Sequence, residues 1–476
     1  MEHSFYWHDY ESWGQNAQLD RPAQFAGLRT DLALNPIAPP QVFYCRLADD
    51  YIPHPEAALI TGITPALTQT QGLMEPEFSQ RVHVELSQPG TCGAGYNSIR
   101  YDDELTRHLF FRNLIEPYGR EWQNGNSRWD LIDVLRAAHA LRPEGLTWPQ
   151  RADGATSFRL GDLTAANDIA HQGAHEALAD VQATLALARR LRQAQPRLFD
   201  YALSLRDRQR VRRFLDSSQP LLHVTQRFPA ATGCLSLVLP LGPHPRYRNR
   251  VVVFDLRHDP EGFFGLDDEA LGRRLFSAQA LLGENEPRLP VKTIYINRAP
   301  LLAPPTVLTP AQAERWGLDR QAVDRHARTL LAAGSWIRRL LAQYEHEPPE
   351  WPQTLGPSLY GGGFWSEADK RQLAQLRRLD PADLATRSLQ FEDPALVELV
   401  FCYRARNWPD SLSAEERQRW EDSRWHQVTT PGPGRLTVAE FRKRSSELRA
   451  ENAGNERALG VLEALTNWVS ATFPTQ

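Results

Sequence analysis

The chain has 476 residues, of which 24% are charged and 41% apolar, and its formal net charge is −4. At ~150 residues per domain, this length predicts about three domains. The composition excludes a disordered chain, which would carry fewer apolar residues and a larger net charge. No apolar run approaches the ~20 residues that span a bilayer, and the first residues do not read as a signal peptide. Neither a membrane protein nor a secreted protein is therefore expected.

The cysteine and arginine content gives information about the cellular compartment of the protein and about the ligands that it could bind. Four cysteines lie far apart without a Cys-x-x-Cys pair, which favours reduced thiols in a cytosolic protein over disulfides or a zinc cluster. They are Cys45, Cys92, Cys234 and Cys402. Three lysines among the 54 basic residues leave 51 arginines. Their even spread is typical of codon bias, although arginine also suits bidentate phosphate recognition. Because the pI is about 6.4, any nucleic-acid surface would be a local patch.

Residues 1–195 alternate strand-like and helix-like segments, which predicts an α/β domain. Short runs rich in aromatic and apolar residues predict strands at 5–10, 24–30, 41–47 and 91–96. Apolar residues that recur every three to four positions predict helices at 103–113, 131–141 and 176–191.

The pattern of predicted strands and helices changes at about residue 196 and again at about residue 351. Residues 196–350 predict a small β-barrel or curled sheet with attached helices, and residues 351–476 predict an all-helical domain. The strands are expected at 221–225, 235–241 and 250–256, and the helices at 270–282, 320–341, 367–379, 395–407, 414–427 and 438–468. A linker is predicted between residues 345 and 363, where prolines and then three glycines cluster. The predicted domains are 1–195, 196–350 and 351–476.

Two carboxylates stand at the end of the first predicted strand. Asp9 and Glu11 are two residues apart, and the period of a strand places both on one face. Like charges this close repel unless a cation neutralises them, and hard oxygen ligands suit Mg²⁺ or Mn²⁺. Taken alone, such a pair is more often a solvated strand end than a metal site.

A further carboxylate stands between a predicted strand and a predicted helix. Asp102 closes the segment Asn97-Ser-Ile-Arg-Tyr-Asp, at a corner of the kind where α/β sites are built. Asp103 and Glu104 follow it directly. For these two, the preference of helix N-termini for acids is a sufficient explanation.

The last part of the pattern is His175-Glu-Ala-Leu-Ala-Asp180. Asp180 lies one turn into a predicted helix, and His175 lies just ahead of that helix, where a loop histidine can reach a metal site. Four acids on three elements can hold two metal ions ~3.5–4 Å apart. A histidine of near-neutral pKa can take the proton of a water molecule. That chemistry is phosphodiester hydrolysis.

The order Asp-x-Glu, Asn-x-x-x-Tyr-Asp and His-x-x-x-x-Asp resembles the three motifs of the DEDD proofreading-exonuclease superfamily, in its histidine subclass. Longer strings, which extend from residue 8 to beyond residue 400, are similar to the bacterial exodeoxyribonuclease I family. They are His8-Asp-Tyr-Glu, Asp20-Arg-Pro-Ala-Gln-Phe, Leu59-Ile-Thr-Gly-Ile-Thr-Pro, Asn126-Ser-Arg-Trp-Asp-Leu, Ala140-Leu-Arg-Pro-Glu-Gly, Pro196-Arg-Leu-Phe-Asp-Tyr and Tyr403-Arg-Ala-Arg-Asn. The resemblance implies a ribonuclease-H-like exonuclease domain, a Src-homology-3-like β-barrel domain with helices and an all-helical C-terminal domain.

The resemblance also implies an activity. The enzyme would depend on Mg²⁺ and remove 5′-mononucleotides from the 3′ end of single-stranded DNA, in DNA repair and recombination. Two metal ions would be held by Asp9, Glu11, Asp102 and Asp180. His175 would be the general base, and Glu11 would also meet the sugar of the terminal nucleotide.

Further residues match substrate-contacting positions of the family. They are Arg159, Arg107, Tyr118, Trp122, Arg136 and Phe158. Their chemistry is suitable, because arginines pair with phosphates and aromatic rings stack on unpaired bases at ~1–3 kcal/mol each. For Trp122 and Phe158, packing in a core is the alternative interpretation.

The family also binds the C-terminal tail of the single-stranded-DNA-binding protein, an acidic segment that ends in an apolar residue. Arg142 and Tyr201 match the docking positions, whereas Pro304 and Thr309 stand where a polar amide and a basic residue are expected. The tail is therefore expected at the junction of the first two domains, with weakened affinity. Alternatively, Arg142 merely caps its own helix end. A cytoplasmic monomer without membrane contact is expected.

Two other functions remain open at this point. Small exoribonucleases share the same acids and histidine, so these motifs do not separate DNA from RNA, although the two extra domains favour DNA. A catalytically silent module that only binds nucleic-acid ends is the second alternative. The correct residue type at all five catalytic positions argues against it.

Overall fold

A computed structural model of the chain describes residues 3–171, 173, 176–284, 286–348, 357–387 and 390–474. The strands in these ranges are β1 (Ser4–Ser12), β2 (Pro22–Thr30), β3 (Gln41–Tyr44), β4 (Thr91–Gly95), β5 (Ser127–Asp130), β6 (Leu221–Val224), β7 (Leu235–Pro243), β8 (Arg250–Asp255), β9 (Val291–Tyr295) and β10 (Leu301–Ala303).

The α-helices in the same ranges are α1 (Pro55–Thr61), α2 (Pro65–Gln71), α3 (Glu75–Leu86), α4 (Asp102–Arg112), α5 (Leu131–Leu141), α6 (Leu160–Ala166), α7 (Ala177–Ala194), α8 (Pro196–Ser204), α9 (Arg208–Leu215), α10 (Glu261–Phe264), α11 (Asp268–Phe276), α12 (Pro310–Arg315), α13 (Arg320–Ala332), α14 (Gly334–Gln343), α15 (Glu367–Leu376), α16 (Pro381–Thr386), α17 (Ala395–Asn407), α18 (Ala414–Thr429), α19 (Val438–Glu451) and α20 (Glu456–Thr472). None of these described helices has both the length and the apolar character needed to cross a bilayer.

The chain divides into two compact units, neither of which is continuous in sequence. Unit 1 comprises Met1–Ser127, Gln172–Gln182 and Trp351–Gln476. Unit 2 comprises Arg128–His171 and Ala183–Glu350.

The sheet of unit 1 is built around β1. This strand pairs antiparallel with β2, from Phe5 opposite Thr30 to Glu11 opposite Gln24, and parallel with β4. Because β2 also pairs with β3, the order within the unit is β3-β2-β1-β4. The fifth strand of the sheet, β5, begins at the last residue of the unit. Strand β1 is covered on both faces, which explains why apolar and aromatic residues run along it without alternation.

Two apolar clusters support this sheet and its loops. Phe25, Phe78 and Phe110 pack together from β2, α3 and α4. A second cluster joins Trp13, which follows β1, to Phe441 and other residues of the C-terminal helices α19 and α20. The strand end that carries Asp9 and Glu11 is therefore fixed by packing from both early and late parts of the chain.

Unit 2 contains an antiparallel sheet in the order β10-β6-β7-β8-β9. Its register shifts between Pro240 and Gly242 of β7. Helix α14 is joined to α10 through Trp336, whose indole N–H donates to the carbonyl of Phe263 at 3.1 Å. The predicted sheet with helices is confirmed, but the sequence pattern did not predict β9 and β10.

Two predicted long helices are wrong, because each consists of two helices. The segment 320–341 breaks at Ala333, which leaves helical geometry between α13 and α14. The segment 438–468 breaks between α19 and α20, where Asn455 caps the second helix by accepting from the N–H of Ala458 at 3.1 Å. An N-cap that satisfies the free N–H groups of a new helix compensates for the interruption. The four cysteines are free, as predicted.

Candidate active site

Three carboxylates meet at the end of β1. Asp9 and Glu11 project from the same face of the strand, as predicted, and Asp180 lies in the first turn of α7. Each side chain offers one ligand oxygen, and these three atoms all lie within 4.8 Å of one another. Glu11 is buried, whereas Asp9 and Asp180 are partly exposed. The group resembles an inner set of ligands for a hard divalent cation, open on one side.

The electrostatics of this cluster favour a bound cation. Burial, followed by the charges of Asp102, Glu11 and Asp180, raises the pKa of Asp9 well above its ordinary value. Burial and then the charge of Asp180 raise the pKa of Glu11 from 4.5 to about 8. Without a cation, these groups hold protons that ordinary carboxylates would release. A divalent ion would neutralise the repulsion and displace those protons.

Asp102 stands beside the cluster rather than within the 4.8 Å set. It is the first residue of α4, at the predicted corner after β4, and it accepts the backbone N–H of Tyr10 at 3.1 Å. This contact ties the start of α4 to β1. The structure thus brings three of the four predicted ligands together and places the fourth next to Asp9, whose pKa it raises.

His175 lies outside the described residues, so no distance or contact tests its predicted place ahead of α7. The helix itself begins at Ala177, one residue later than predicted. The N–H of Ala177 donates to the side-chain carbonyl of Gln24 at 3.0 Å. Gln24 is buried on β2 and holds the start of the helix that carries Asp180. Sequence reasoning missed this role, although a polar residue inside an otherwise buried strand was the available signal.

The acids that follow Asp102 are more than helix-terminal charges. Asp103 forms an ion pair with Arg120 at 2.5 Å, and both side chains are almost fully buried. Burial, with a further contribution from Arg120, lowers the pKa of His8 to about 4. Glu104 accepts from Arg107 at 2.8 Å and from the hydroxyl of Tyr360. Both ion pairs are buried. Glu104 and Arg107 are three residues apart on one helix, whereas local sequence gave no sign of the pair between Asp103 and Arg120.

The predicted substrate residues of unit 1 differ in exposure. The Trp122 side chain is 54% exposed, so the core-packing alternative is wrong for this residue. Arg107 is buried, and Glu121 accepts two of its hydrogen bonds, at 2.7 and 3.0 Å. Its guanidinium lies 5.5 Å from the centre of the half-buried Tyr118 ring. Trp122 is therefore accessible to solvent, whereas Arg107 packs against the ring of Tyr118.

The other three predicted substrate residues belong to unit 2. Arg159 is exposed and precedes α6. Phe158 is half-buried, and Arg136 lies 5.5 Å from its ring centre. Arg136 is itself buried and donates to Asp133 at 2.5 Å. As in unit 1, one of the predicted residues, Arg159, is exposed, and an arginine, Arg136, packs against an aromatic ring, that of Phe158.

The predicted tail-docking residues also lie in unit 2. Arg142 is exposed, and its guanidinium donates to the carbonyl of Leu141, at the C-terminus of its own helix. The hydroxyl of Tyr201 donates to the carbonyl of Leu302 at 2.7 Å. Thr309 caps α12, and Pro304 precedes a short 3₁₀ turn. Arg142 therefore does cap its helix, as the alternative interpretation proposed, while its exposed side chain remains accessible.

Comparison with known proteins identifies the class of the site and then the family. Residues 6–188, which include the carboxylate cluster, match the family described as "Exonuclease". The fold and the acidic cluster thus define an exonuclease domain. Residues 206–346 match the "Exonuclease I SH3-like domain", and residues 355–472 match the "Exonuclease I C-terminal domain". The chain belongs to the exodeoxyribonuclease I family, and the three predicted kinds of domain are confirmed.

Similar proteins cover nearly the whole chain. Exodeoxyribonuclease I of Escherichia coli is 43% identical over 90% of this chain and 91% of its own length. The Haemophilus influenzae protein of that name is 41% identical over 97% of each. The crystal structure of E. coli exonuclease I with a dA16 oligonucleotide gives a TM-score of 0.93 at 40% identity, covering 99% of this chain and 100% of the other.

Two further solved structures bear on ligands. The zinc-bound form of the E. coli exonuclease I complex with single-stranded DNA gives a TM-score of 0.92 at 40% identity. A complex of exonuclease I with the SSB C-terminal segment gives 0.92 at 39% identity. Each covers 99% of this chain and 100% of the other.

Proposed function

We propose that this chain degrades single-stranded DNA from its 3′ end and releases 5′-mononucleotides, in DNA repair and recombination. The observation that carries the proposal is the cluster of Asp9, Glu11 and Asp180 in a chain of the exodeoxyribonuclease I family. The family name favours DNA over RNA as the substrate. The intact acidic cluster argues against a module that only binds DNA ends.

The proposed cofactor is Mg²⁺, for which Mn²⁺ could substitute. Asp9, Glu11, Asp102 and Asp180 would hold two ions, and the donor set fits because all its ligand atoms are carboxylate oxygens. When bound, the ions would activate a water molecule and stabilise the leaving oxygen. His175 would take the proton of that water. Glu11, at the buried side of the cluster, would also contact the sugar of the terminal nucleotide.

The substrate would be bound by exposed and half-exposed aromatic rings and by arginines. Trp122, Tyr118 and Phe158 can stack only on unpaired bases, which favours a single strand. Arg159 is exposed and free to approach a phosphate. Arg107 and Arg136 would act mainly through the rings beside them, since carboxylates already occupy their guanidinium groups.

We further propose that the tail of the single-stranded-DNA-binding protein docks on unit 2, near Arg142 and Tyr201. Gln312 donates to the carbonyl of Leu141 at 2.7 Å, so it stands next to the helix end that Arg142 caps. Arg315 follows on the same helix and could supply part of the charge that Thr309 cannot. Titration of a labelled tail peptide should show weaker binding to Arg142→Ala than to the wild type, and equal affinities would contradict this site.

The proposed organisation is a monomer with domains at 1–195, 196–350 and 351–476. The three family matches fall within these boundaries. A cytoplasmic location is proposed because free, mostly buried thiols are typical of a reducing compartment.

The substrate assignment is tested with matched DNA and RNA oligonucleotides labelled at the 5′ end. With Mg²⁺, the DNA should shorten progressively while the RNA stays intact, and EDTA should stop the reaction. Equal degradation of RNA would support an exoribonuclease instead. Binding of DNA without any shortening would support the silent module.

A further inference from the structure

A cavity of about 150 Å³ lies within unit 1, and its lining includes none of the clustered carboxylates. Arginines from four separate segments line it: Arg21, Arg112, Arg406 and Arg435. At ~30 Å³ per molecule, the cavity has room for about five waters. It is therefore large enough for a small ion. Two of its arginines belong to strings that the sequence analysis singled out and that the proposed reaction does not use.

Among the residues that the structure describes, two carboxylates form ion pairs with these arginines. Asp50 is fully enclosed and accepts from Arg21 at 3.0 Å and from Arg406 at 2.8 Å. These neighbours hold the pKa of Asp50 well below its ordinary value, against the effect of burial. Asp50 is therefore charged, and it is shared by two guanidinium groups.

The second carboxylate is Glu75. It accepts from Arg112 at 2.5 Å and lies 3.8 Å from Arg21. Asp20 adjoins Arg21 in sequence, but it accepts from Tyr51 and lies 3.7 Å from His54. The short contacts of the Asp20 carboxylate are thus with Tyr51 and His54 rather than with Arg21.

Four guanidinium groups against two carboxylates leave two positive charges unmatched. Arg435 forms no ion pair with any residue that the structure describes, and Arg21 has two buried N–H groups, on Nε and Nη1, without an acceptor. Burial and then the charge of Arg21 lower the pKa of Arg112 to about 10 and also lower the pKa of Arg435. Such mutual repulsion in a buried space is unfavourable unless an anion offsets it.

We propose that this cavity binds one small oxyanion with the chemistry of inorganic phosphate. The guanidinium group presents a planar fork of donors that matches phosphate oxygens. One oxygen each of Asp50 and Glu75 is buried without a donor, and a protonated phosphate oxygen can donate to such an atom. The ligand could be free phosphate or the phosphate group of a nucleoside monophosphate.

Equilibrium dialysis of the full chain against radiolabelled inorganic phosphate tests the proposal. EDTA prevents metal ions at the carboxylate cluster from holding phosphate, and a saturating single-stranded oligonucleotide covers the DNA surface. The wild type should bind one phosphate per chain, and sulfate should compete whereas chloride at equal ionic strength should not. If dAMP competes at least tenfold more weakly than phosphate, the ligand is a free anion. If dAMP competes as well as phosphate, the ligand is the phosphate group of a nucleotide.

Matched variants locate the site. Arg435→Gln should weaken phosphate binding at least tenfold, and Arg435→Lys, which keeps the charge, should weaken it less. Arg417→Gln removes an exposed arginine from α18 and should leave binding unchanged. Circular dichroism verifies that each variant is folded. Absence of stoichiometric phosphate binding by the wild type would overturn the proposal, as would equal binding by Arg435→Gln and Arg417→Gln.

Discussion

Replacing Asp180 with asparagine should stabilise the metal-free protein while it destroys the metal site. The substitution keeps the shape of the side chain but removes one of three charges that lie within 4.8 Å of one another. At that separation and an effective dielectric of about 20, each pair of full charges costs about 3 kcal/mol. Asp180→Asn removes two such pairs when all three groups are charged, which for Glu11 requires a pH above about 8, so this sum is an upper limit.

The expected change in the free energy of unfolding follows from the pKa of Glu11. Its rise from 4.5 to about 8 corresponds to about 5 kcal/mol, at about 1.4 kcal/mol per pKa unit. Because the folded state holds this proton more tightly than the unfolded state, metal-free stability should fall as the pH rises from about 4.5 to about 8. Burial is the larger cause of the shift and Asp180 the second. We therefore expect Asp180→Asn to recover about 2 kcal/mol above pH 8.

Urea unfolding in EDTA at pH 6 and pH 8.5 measures this effect. Asp180→Asn should exceed the wild type in stability at pH 8.5, with a smaller difference at pH 6. Adding Mg²⁺ should reverse the order, because a ligand at 100 times its Kd stabilises by about 2.7 kcal/mol and the variant lacks one ligand. The exposed Asp410→Asn is the control and should behave as the wild type does. A variant that is less stable in EDTA, or that keeps the full Mg²⁺ response, would contradict repulsion among these carboxylates.

Three further substitutions test the DNA-binding surface, the general base and a buried ion pair. Trp122→Ala should weaken single-stranded DNA binding by about 1–3 kcal/mol, because an exposed stacking ring is lost; fluorescence anisotropy measures it, and unchanged affinity would show that the ring does not stack. His175→Ala should lower the hydrolysis rate about 10²–10⁴-fold and flatten its pH dependence near neutrality; an unaltered pH–rate profile would remove His175 from the general-base role. Asp103→Ala should cost about 3–5 kcal/mol of stability, because Arg120 would be left buried without its partner; a loss below 1 kcal/mol in urea unfolding would contradict that pairing.

The sequence predicted those parts of the site that depend on local periodicity. Asp9 and Glu11 share a face because a strand repeats every two residues, and Asp180 lies in the first turn of a helix whose apolar period was evident. Asp102 was expected where a strand meets a helix, and it lies there. Each of these predictions needed only a few neighbouring residues.

The features that the sequence did not predict depend on contacts between distant residues. Asp103 and Arg120 are seventeen positions apart, and Asp50 meets Arg406 across 356 positions. No local pattern indicates such pairs. Strands β9 and β10 were missed for a similar reason, since they are short and gain their identity from pairing with β8 and β6. The breaks at Ala333 and Asn455 lie beside Gly334 and Gly454, and these glycines were the available local signal.

The carboxylate cluster is proposed to remove nucleotides from the 3′ end of single-stranded DNA. The most direct measurement follows the products of one oligonucleotide, labelled at its 3′-terminal nucleotide, as a single strand and as a blunt duplex. With Mg²⁺, the single strand should release its label at once as a 5′-mononucleotide, and Asp180→Asn should release none while it still binds the strand. The duplex should react far more slowly. Release of the label as longer fragments, equal rates on both substrates, or near-normal turnover by Asp180→Asn would contradict this activity.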